Sequence, residues 1–294
     1  MSAATWQRRR AGLRESAGEF ASYRSGLVGA VLLVLVVLLA LAAPPLVPRE
    51  SLAVTQVTAD RNEVPSLAHL LGTDSSGRDV LGMLLWGARA SLLVGFAATA
   101  MSMVIGTVVG MAAGHFTGLT QGALMRVIDF FLVVPSLVLA IVLSTVLASG
   151  LWTIVIAIGV TSWASTARVV RAQTLTIESR AYIERSRALG AGDAHILGRH
   201  VLPAVMPLVL ANTTLAVGAA IIAESTLAFL GLGDPTTYSW GSMLKRALDT
   251  GAATAGFWWQ VLPPGIAIVL VVLCFTLVGR ALESVLNPVL RSHR

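Results

Sequence analysis

The chain has 294 residues, 55% hydrophobic and 12% charged, with a formal net charge of +6 and a mean hydropathy of +0.79. Soluble domains carry about 25% charged residues, so half that share, together with long apolar runs, excludes an ordinary water-soluble globule and predicts a multi-span, all-α integral membrane protein. One cysteine, Cys274, excludes an intrachain disulfide and a cysteine-built metal cluster, and its apolar surroundings make it a small buried residue.

In chain order, residues 1–25 form a basic tail, followed by an apolar run at 26–45. That run is too long for a signal-peptide core, and Pro44-Pro45 stands where a small-residue cleavage site would be, so a retained first span is expected. Residues 46–89 make a polar segment of mixed charge whose end lies in "HLLGTDSSGRDVLGMLLWGARASL". Further spans are predicted at 90–113, 124–148 and 151–169, the last two separated by a tight hairpin at Ser149-Gly150. A charged stretch at 170–201 precedes a fifth span at 202–230. A second polar segment at 231–261 places Trp240, Trp258 and Trp259 where a membrane–water interface is expected. The sixth span is 262–286, with a short tail at 287–294. Each span supplies about 20 mostly apolar residues, the length that crosses the hydrocarbon.

Six spans leave both ends on one side. With both termini in the cytoplasm, 15 of the 21 Lys and Arg fall in cytoplasmic segments and 6 in outer ones, which the positive-inside rule favours. The positive charge then reads as a topology signal and lipid headgroup contact, with no nucleic-acid face required.

The stretch "IERSRALGAGDAHILGRHVLP", Ile183–Pro203, interrupts the apolar pattern. Residues 178–189 predict a short helix with Ala181, Tyr182, Ala188 and Leu189 as its apolar stripe and Arg180, Glu184 and Arg187 on other faces. Gly190-Ala191-Gly192 breaks it. Asp193 is expected to cap a second helix that carries Ile196, Leu197 and Val201 on one side, and Pro203 marks entry to the fifth span. Two short helices around a glycine elbow either lie on the membrane as an ordinary basic loop or dock into a partner's groove. His195 and His200, five apart, miss the four-residue spacing of a helical metal pair.

Other motifs narrow the chemistry. Lys245, the one lysine, sits in "GSMLKRAL", so no phosphate-cradling Walker A loop is present. Neither H-E-x-x-H nor G-x-S-x-G occurs. No catalytic, cofactor or metal residue is therefore expected. Arg126 and Asp129 predict a local ion pair, and Gly106 and Gly110 a close helix contact. Glu224 is an intramembrane charge near the outer end of the fifth span, and such residues are candidate functional groups.

The pattern Y-I-E-R-S-R-A-L-G-A-G-D…R-H-V-L-P resembles the EAA motif of ABC importer permeases, which is Glu-Ala-Ala, three residues, Gly, then a spacer ending in Leu-Pro. Glu184, Gly190, Leu202 and Pro203 match in register, whereas Arg185 and Ser186 stand where the family has two alanines. "LGTDSSGRDVLGMLLWGARASLLVG", "ESTLAFLGLGDPTTYSWGSML" and "FWWQVLPPGIAIVLVVLCFTLVGRALESVLNPVLR" resemble corresponding segments of the dipeptide/oligopeptide/nickel group, DppC/OppC-like.

The resemblance implies a type I ABC importer permease fold with its core at 88–287, in a prokaryotic plasma membrane. It implies a subunit forming half of a translocation pathway for di- or oligopeptides, with nickel–chelate, glutathione or haem as alternative cargo. Expected partners are a second homologous permease (DppB/OppB-like), two ATP-binding subunits or one fused ATPase, an extracytoplasmic substrate-binding protein and membrane lipid. ATP and Mg would be bound by the partners. The EAA-like region would be the coupling helix, with Tyr182, Glu184, Arg185, Ser186, Leu189 and Asp193 at the contact and Gly190 as the elbow. Glu224 would line the path or pair with the second permease, or else hydrogen-bond within its own bundle. An ATP-independent transporter or channel is the alternative of another class, and the sequence lacks the inverted repeat and broken helices expected of it.

Overall fold

The computed structural model describes residues 18–286; the predicted tail at 287–294 and residues 1–17 of the N-terminal tail lie outside them. Regular structure among the described residues is helical, with one isolated bridge between Thr73 and Asp79.

Helix α1 (Arg24–Leu46) is apolar all round, and Leu27, Val28, Val31, Val34 and Leu38 lie exposed on it, as a lipid-facing helix requires. Gly29 lets it approach the last helix closely: a Cβ there would lie 2.9 Å from the Cys274 carbonyl. Pro44-Pro45 removes two backbone donors, and α1 ends at Leu46.

Helix α2 (Val80–His115) has 36 residues, about 54 Å at 1.5 Å per residue. It starts ahead of the span predicted at 90–113 because Asp79 caps it, its Oδ1 accepting from the Gly82 N–H at 2.7 Å. Its first turns, Val80 to Ala88, are apolar and pack against Leu52, Trp240 and Trp259, and Arg89 alone interrupts the apolar run there. Gly106 and Gly110 make the expected close contact. A Cβ on either would fall within 2.7 Å of the Trp163 or Ala167 carbonyl.

The span predicted at 124–148 is instead two helices, α3 (Gly118–Val133) and α4 (Ser136–Val146), bent by 89°. Pro135 lacks an N–H and disfavours helical backbone at Val134, which is extended at φ −74°, ψ 125°. The sequence therefore does carry a broken helix pair. Asp129 pairs not with Arg126 but with Arg168 across to the next span, at 2.7 Å. Both side chains are more than half exposed, so the pair contributes about 0–1 kcal/mol.

Residues 147–150 connect α4 to α5 (Leu151–Thr161), and α5 continues into α6 (Trp163–Glu178) with a break only at Ser162. There the Thr161 hydroxyl donates back to the Ala157 carbonyl at 2.8 Å, a bond that bends helices. Past α7 (Ala181–Ala188), helix α8 (Asp193–Ile196) runs through a π turn at Leu197–Val201 into α9 (Leu202–Phe229). Pro203 thus lies inside one continuous helical path. Its ring crowds the carbonyl four residues back, and the widened turn before it makes room.

The segment predicted as polar loop at 231–261 contains α10 (Trp240–Asp249), started by a capping box of Ser239 and Ser242, and the beginning of α11 (Trp258–Leu286). Five paths, α1, α2, α5–α6, α8–α9 and α11, are long and apolar enough to cross a membrane; the bent α3–α4 pair makes a sixth if it counts as one span.

At the end where α2 begins, residues 47–79 and 231–260 interlock into a cap. Tyr238 donates to the Leu52 carbonyl at 3.0 Å, and Trp259 Nε1 and Gln260 Nε2 both donate to the Thr73 carbonyl. Trp240 is buried, its Nε1 donating to the Leu84 carbonyl at 3.1 Å. Of the three tryptophans expected at an interface, only Trp258 stays exposed; Trp240 and Trp259 anchor the cap because each ring N–H finds a carbonyl inside it. Burial opposes the Arg78 charge, and the adjoining Asp74 carboxylate more than offsets this, holding the guanidinium above its ordinary value.

Candidate functional site

At the opposite end, where α2 finishes, the charged stretch forms an elbow. Helix α7 ends in a full Schellman motif: the Ala191 N–H donates to the Ser186 carbonyl at 3.0 Å and the Gly190 N–H to the Arg187 carbonyl at 2.9 Å. Gly190 holds φ +88°, a conformation that a side chain disfavours. The next helix starts from the Gly192 carbonyl, which accepts from the His195 and Ile196 N–H groups. Asp193 is therefore a first-turn residue, not the cap, and makes no side-chain capping bond.

The predicted contact residues lie together on this elbow. Leu189 is 89% exposed and Tyr182 39% exposed, Glu184 and Arg185 are exposed, and Ser186 is half-buried, with its Oγ 3.4 Å from His200 Nε2. The expected stripe of Ala181, Tyr182, Ala188 and Leu189 faces outward. The residue that fixes α7 is Ile183, fully buried against Val170, Ile177, Ile196, Val201 and Val205. As expected, Ile196 and Val201 share that buried side.

An ionic network ties the elbow to the bundle. His115, the last residue of α2, has a buried side chain with Nδ1 2.6 Å from Glu178 Oε1 and Nε2 3.2 Å from Asp193 Oδ1. Arg187 pairs with the other Glu178 oxygen. A neutral imidazole has one N–H and satisfies one of those carboxylates; the charged ring satisfies both. The ends of α2, α6 and α7 and the start of α8 are thereby joined. Local sequence patterning misses this network because His115 lies 63 residues from Glu178. The available signal is a histidine at a helix C-terminus, where its charged form suits the dipole.

Glu224 on α9 is 2% exposed. Ser91 of α2 donates to its Oε2 at 2.9 Å and Ser225 at 3.3 Å, and the Trp240 N–H donates to Ser91 Oγ at 3.3 Å. The carboxyl group thus links α9, α2 and α10 near the cap.

A separate cavity of about 460 Å³ opens between α2, the Val134-Pro135 bend, the α5–α6 junction and α9. Ala220 and Ala223 of α9 line it, but Glu224 does not. Its polar wall is made of hydroxyls and one carboxamide: Asn212 Nδ2 donates to Thr166 Oγ1 at 3.3 Å. No charged side chain lines it among the described residues. Sequence periodicity shows none of this, since the space exists only where four separated segments meet.

Residues 106–292 match the model of the family described as the binding-protein-dependent transport system inner membrane component. The chain is 36% identical over 273 residues to the oligopeptide transport system permease protein OppC of Bacillus subtilis (strain 168), covering 92% of this chain and 88% of that protein. It is 36% identical to the dipeptide transport system permease protein DppC of the same organism over 90% of this chain and 82% of the relative. The glutathione transport system permease protein GsiD of Pectobacterium atrosepticum is 38% identical over 79% of this chain and 76% of its own length. Among solved structures, a chain of the inward-facing MetNI methionine ABC transporter superposes with a TM-score of 0.56 at 20% identity, over 69% of this chain and 96% of that one.

Proposed function

Because the chain belongs to the binding-protein-dependent transport system inner membrane component family, we propose that it is the permease subunit of an ABC importer of di- or oligopeptides. It forms half of the translocation pathway and couples to separate ATP-binding subunits through the elbow at Tyr182–Asp193. Glu184, Arg185, Ser186 and Leu189 make the contact, and Gly190 sets the turn. One observation carries this reading. The elbow presents Leu189, Tyr182 and Glu184 to the exterior while Ile183 and the His115 network hold its back against α2 and α6. An exposed, rigidly backed element of this kind suits transmission of force; a loop lying freely on lipid needs no such backing.

The remaining parts follow from that assignment. The partners are a second homologous permease, two ATP-binding subunits or one fused ATPase, and an extracytoplasmic substrate-binding protein. ATP and Mg bind to the partners, and this chain performs no hydrolysis. Both termini lie in the cytoplasm of a prokaryotic cell, with the bent α3–α4 pair as the third of six crossings and the Trp240 cap outside. ATP shifts the conformational balance only through its different affinity for the two states, and the elbow passes that difference to α2, α6 and α9. Glu224 joins α2 to α9 near the outer end and takes part in the path when those helices separate. Glutathione, itself a small peptide, is the second reading, favoured by the GsiD relative.

Purification of this chain with its co-expressed partners tests the proposal. The expected result is a stable complex containing ATP-binding subunits whose hydrolysis rises with peptide-loaded binding protein. A stable, transport-active chain lacking any ATPase would refute it.

A further inference from the structure

At the cap end of the spans, two arginines converge on one tryptophan. The guanidinium carbon of Arg89 lies 5.1 Å from the centroid of the Trp86 ring, and that of Arg49 lies 5.9 Å from it. The ring is held in place, its Nε1 donating to the Val47 carbonyl at 2.9 Å. Both arginines are exposed. Arg49 donates to the Thr236 carbonyl at 2.8 Å, and neither arginine makes an ion pair with a carboxylate among the described residues, the adjoining Glu50 included. Tyr238 in the same cap carries a similar pair, Arg246 at 5.0 Å and Arg78 at 5.9 Å. There the chain supplies an anion of its own, since Arg78 donates to Asp74 at 2.8 Å. Two like charges drawn to one ring repel each other, and an anion shared between them turns that repulsion into attraction.

The depth of the pair identifies the anion. The 23 residues of α1 span about 35 Å, against a hydrocarbon interior of about 30 Å, and Arg49 lies just beyond the end of α1. Arg89 stands about 39 Å along α2 from His115 at the other end. Both arginines therefore reach the headgroup level at the cap end, the depth at which tryptophan is enriched. Further along the same face of α2, Leu93 and Phe96 are each 46% exposed, at the spacing of one helical stripe, and offer apolar surface to an acyl chain. The planar fork of arginine matches phosphate oxygens, whereas a zwitterionic headgroup brings its own cation toward the two guanidiniums. We propose that Arg49, Trp86 and Arg89 form a binding site for the phosphate of an anionic phospholipid in the leaflet at the cap end, with Leu93 and Phe96 against its acyl chain. The lipid ties the end of α1 to the start of α2 and acts independently of the cargo.

The test uses the full chain, purified in detergent with the partners that accompany it, at sub-saturating lipid. The probe is phosphatidylglycerol carrying a photoreactive group beside its headgroup, and the labelled peptides are mapped by mass spectrometry. Label is expected at residues 86–96, displaced by unlabelled phosphatidylglycerol but not by phosphatidylcholine or inorganic phosphate. Arg89→Gln and Arg49→Gln are each expected to reduce that labelling about fivefold. Arg61→Gln, which removes an exposed charge elsewhere in the cap, is expected to leave it unchanged. Wild-type labelling in both variants, equal loss in Arg61→Gln, or equal displacement by phosphatidylcholine or inorganic phosphate overturns the proposal. Loss of a partner subunit from the Arg89→Gln preparation also overturns it, since the pair would then be a subunit contact. Arg49→Gln gives up the Thr236 bond as well; if it does not fold, Arg89→Gln decides alone. The expected labelling in a chain that purifies without ATP-binding subunits would support the lipid site while refuting the importer reading, so the two fail separately.

Discussion

Gly190 and Gly198 are eight positions apart in one elbow and have opposite needs. Gly190 sits at φ +88°, and no atom lies within 4 Å of where a Cβ would stand, so a substitution there meets backbone strain and no clash. Gly198 lies inside the helical turn Leu197–Val201, also in open space. Gly190→Ala is therefore expected to destabilise the chain by about 1–2 kcal/mol. Gly198→Ala is expected to stabilise it by about 0.5–1 kcal/mol through reduced freedom of the unfolded chain. Thermal unfolding of the purified complex reads the two opposite signs. Arg185-Ser186 also acts at this scale: both residues stand where the family pattern has alanine, and the structure leaves Arg185 exposed and turns Ser186 toward His200. The exposed surface of the elbow is thus more charged than two alanines would make it. Glu184→Lys, reversing a charge on that surface, is expected to lower peptide uptake at least about tenfold and to reduce recovery of the ATP-binding subunits, as for a charge pair lost from an interface. Normal uptake and recovery would place the contact elsewhere.

Among the elements, α7 is short and depends on its neighbours. Eight residues do not make a stable helix alone, and α7 holds its place through Ile183 and the Arg187–Glu178–His115 network. Ile183→Ala removes the buried anchor, a loss of about 2–5 kcal/mol at a well-packed site. Hydrogen exchange over residues 181–189 is expected to speed up at least about tenfold, with α2 and α6 unchanged. Unchanged exchange there would mean that the network alone holds the elbow. The helix positions and the glycine break are legible in the sequence because both are local: hydrophobic runs mark spans and glycine marks a Schellman end. The anchor is not, since the stripe of Ala181, Tyr182, Ala188 and Leu189 has the better helical spacing and yet faces outward. The bend at Pro135 is legible in principle, as proline restrains the residue before it, but the apolar run on both sides conceals it. The early start of α2 is concealed by Arg89, which interrupts an otherwise apolar run, and the burial of Trp240 is not legible because protein covers it where an interface is expected. The cavity wall with Thr166 and Asn212 is not legible either, being assembled from segments far apart in the chain.

For the whole molecule, the central claim is that the elbow lies in the cytoplasm and is covered by an ATP-binding subunit, with the Trp240 cap on the other side of the membrane. The protein is suited to a direct test because its one cysteine, Cys274, is buried and gives little background. Leu67, 98% exposed in the cap segment, and Leu189, on the elbow, are single-cysteine reporters for the two ends. A membrane-impermeant thiol reagent is expected to label Leu67→Cys in intact cells and to leave Leu189→Cys untouched. In isolated, opened membranes, Leu189→Cys is expected to stay protected while the ATP-binding subunits are bound and to react once they are stripped away. Labelling of Leu189→Cys from outside intact cells, or equal labelling with and without those subunits, would contradict the account.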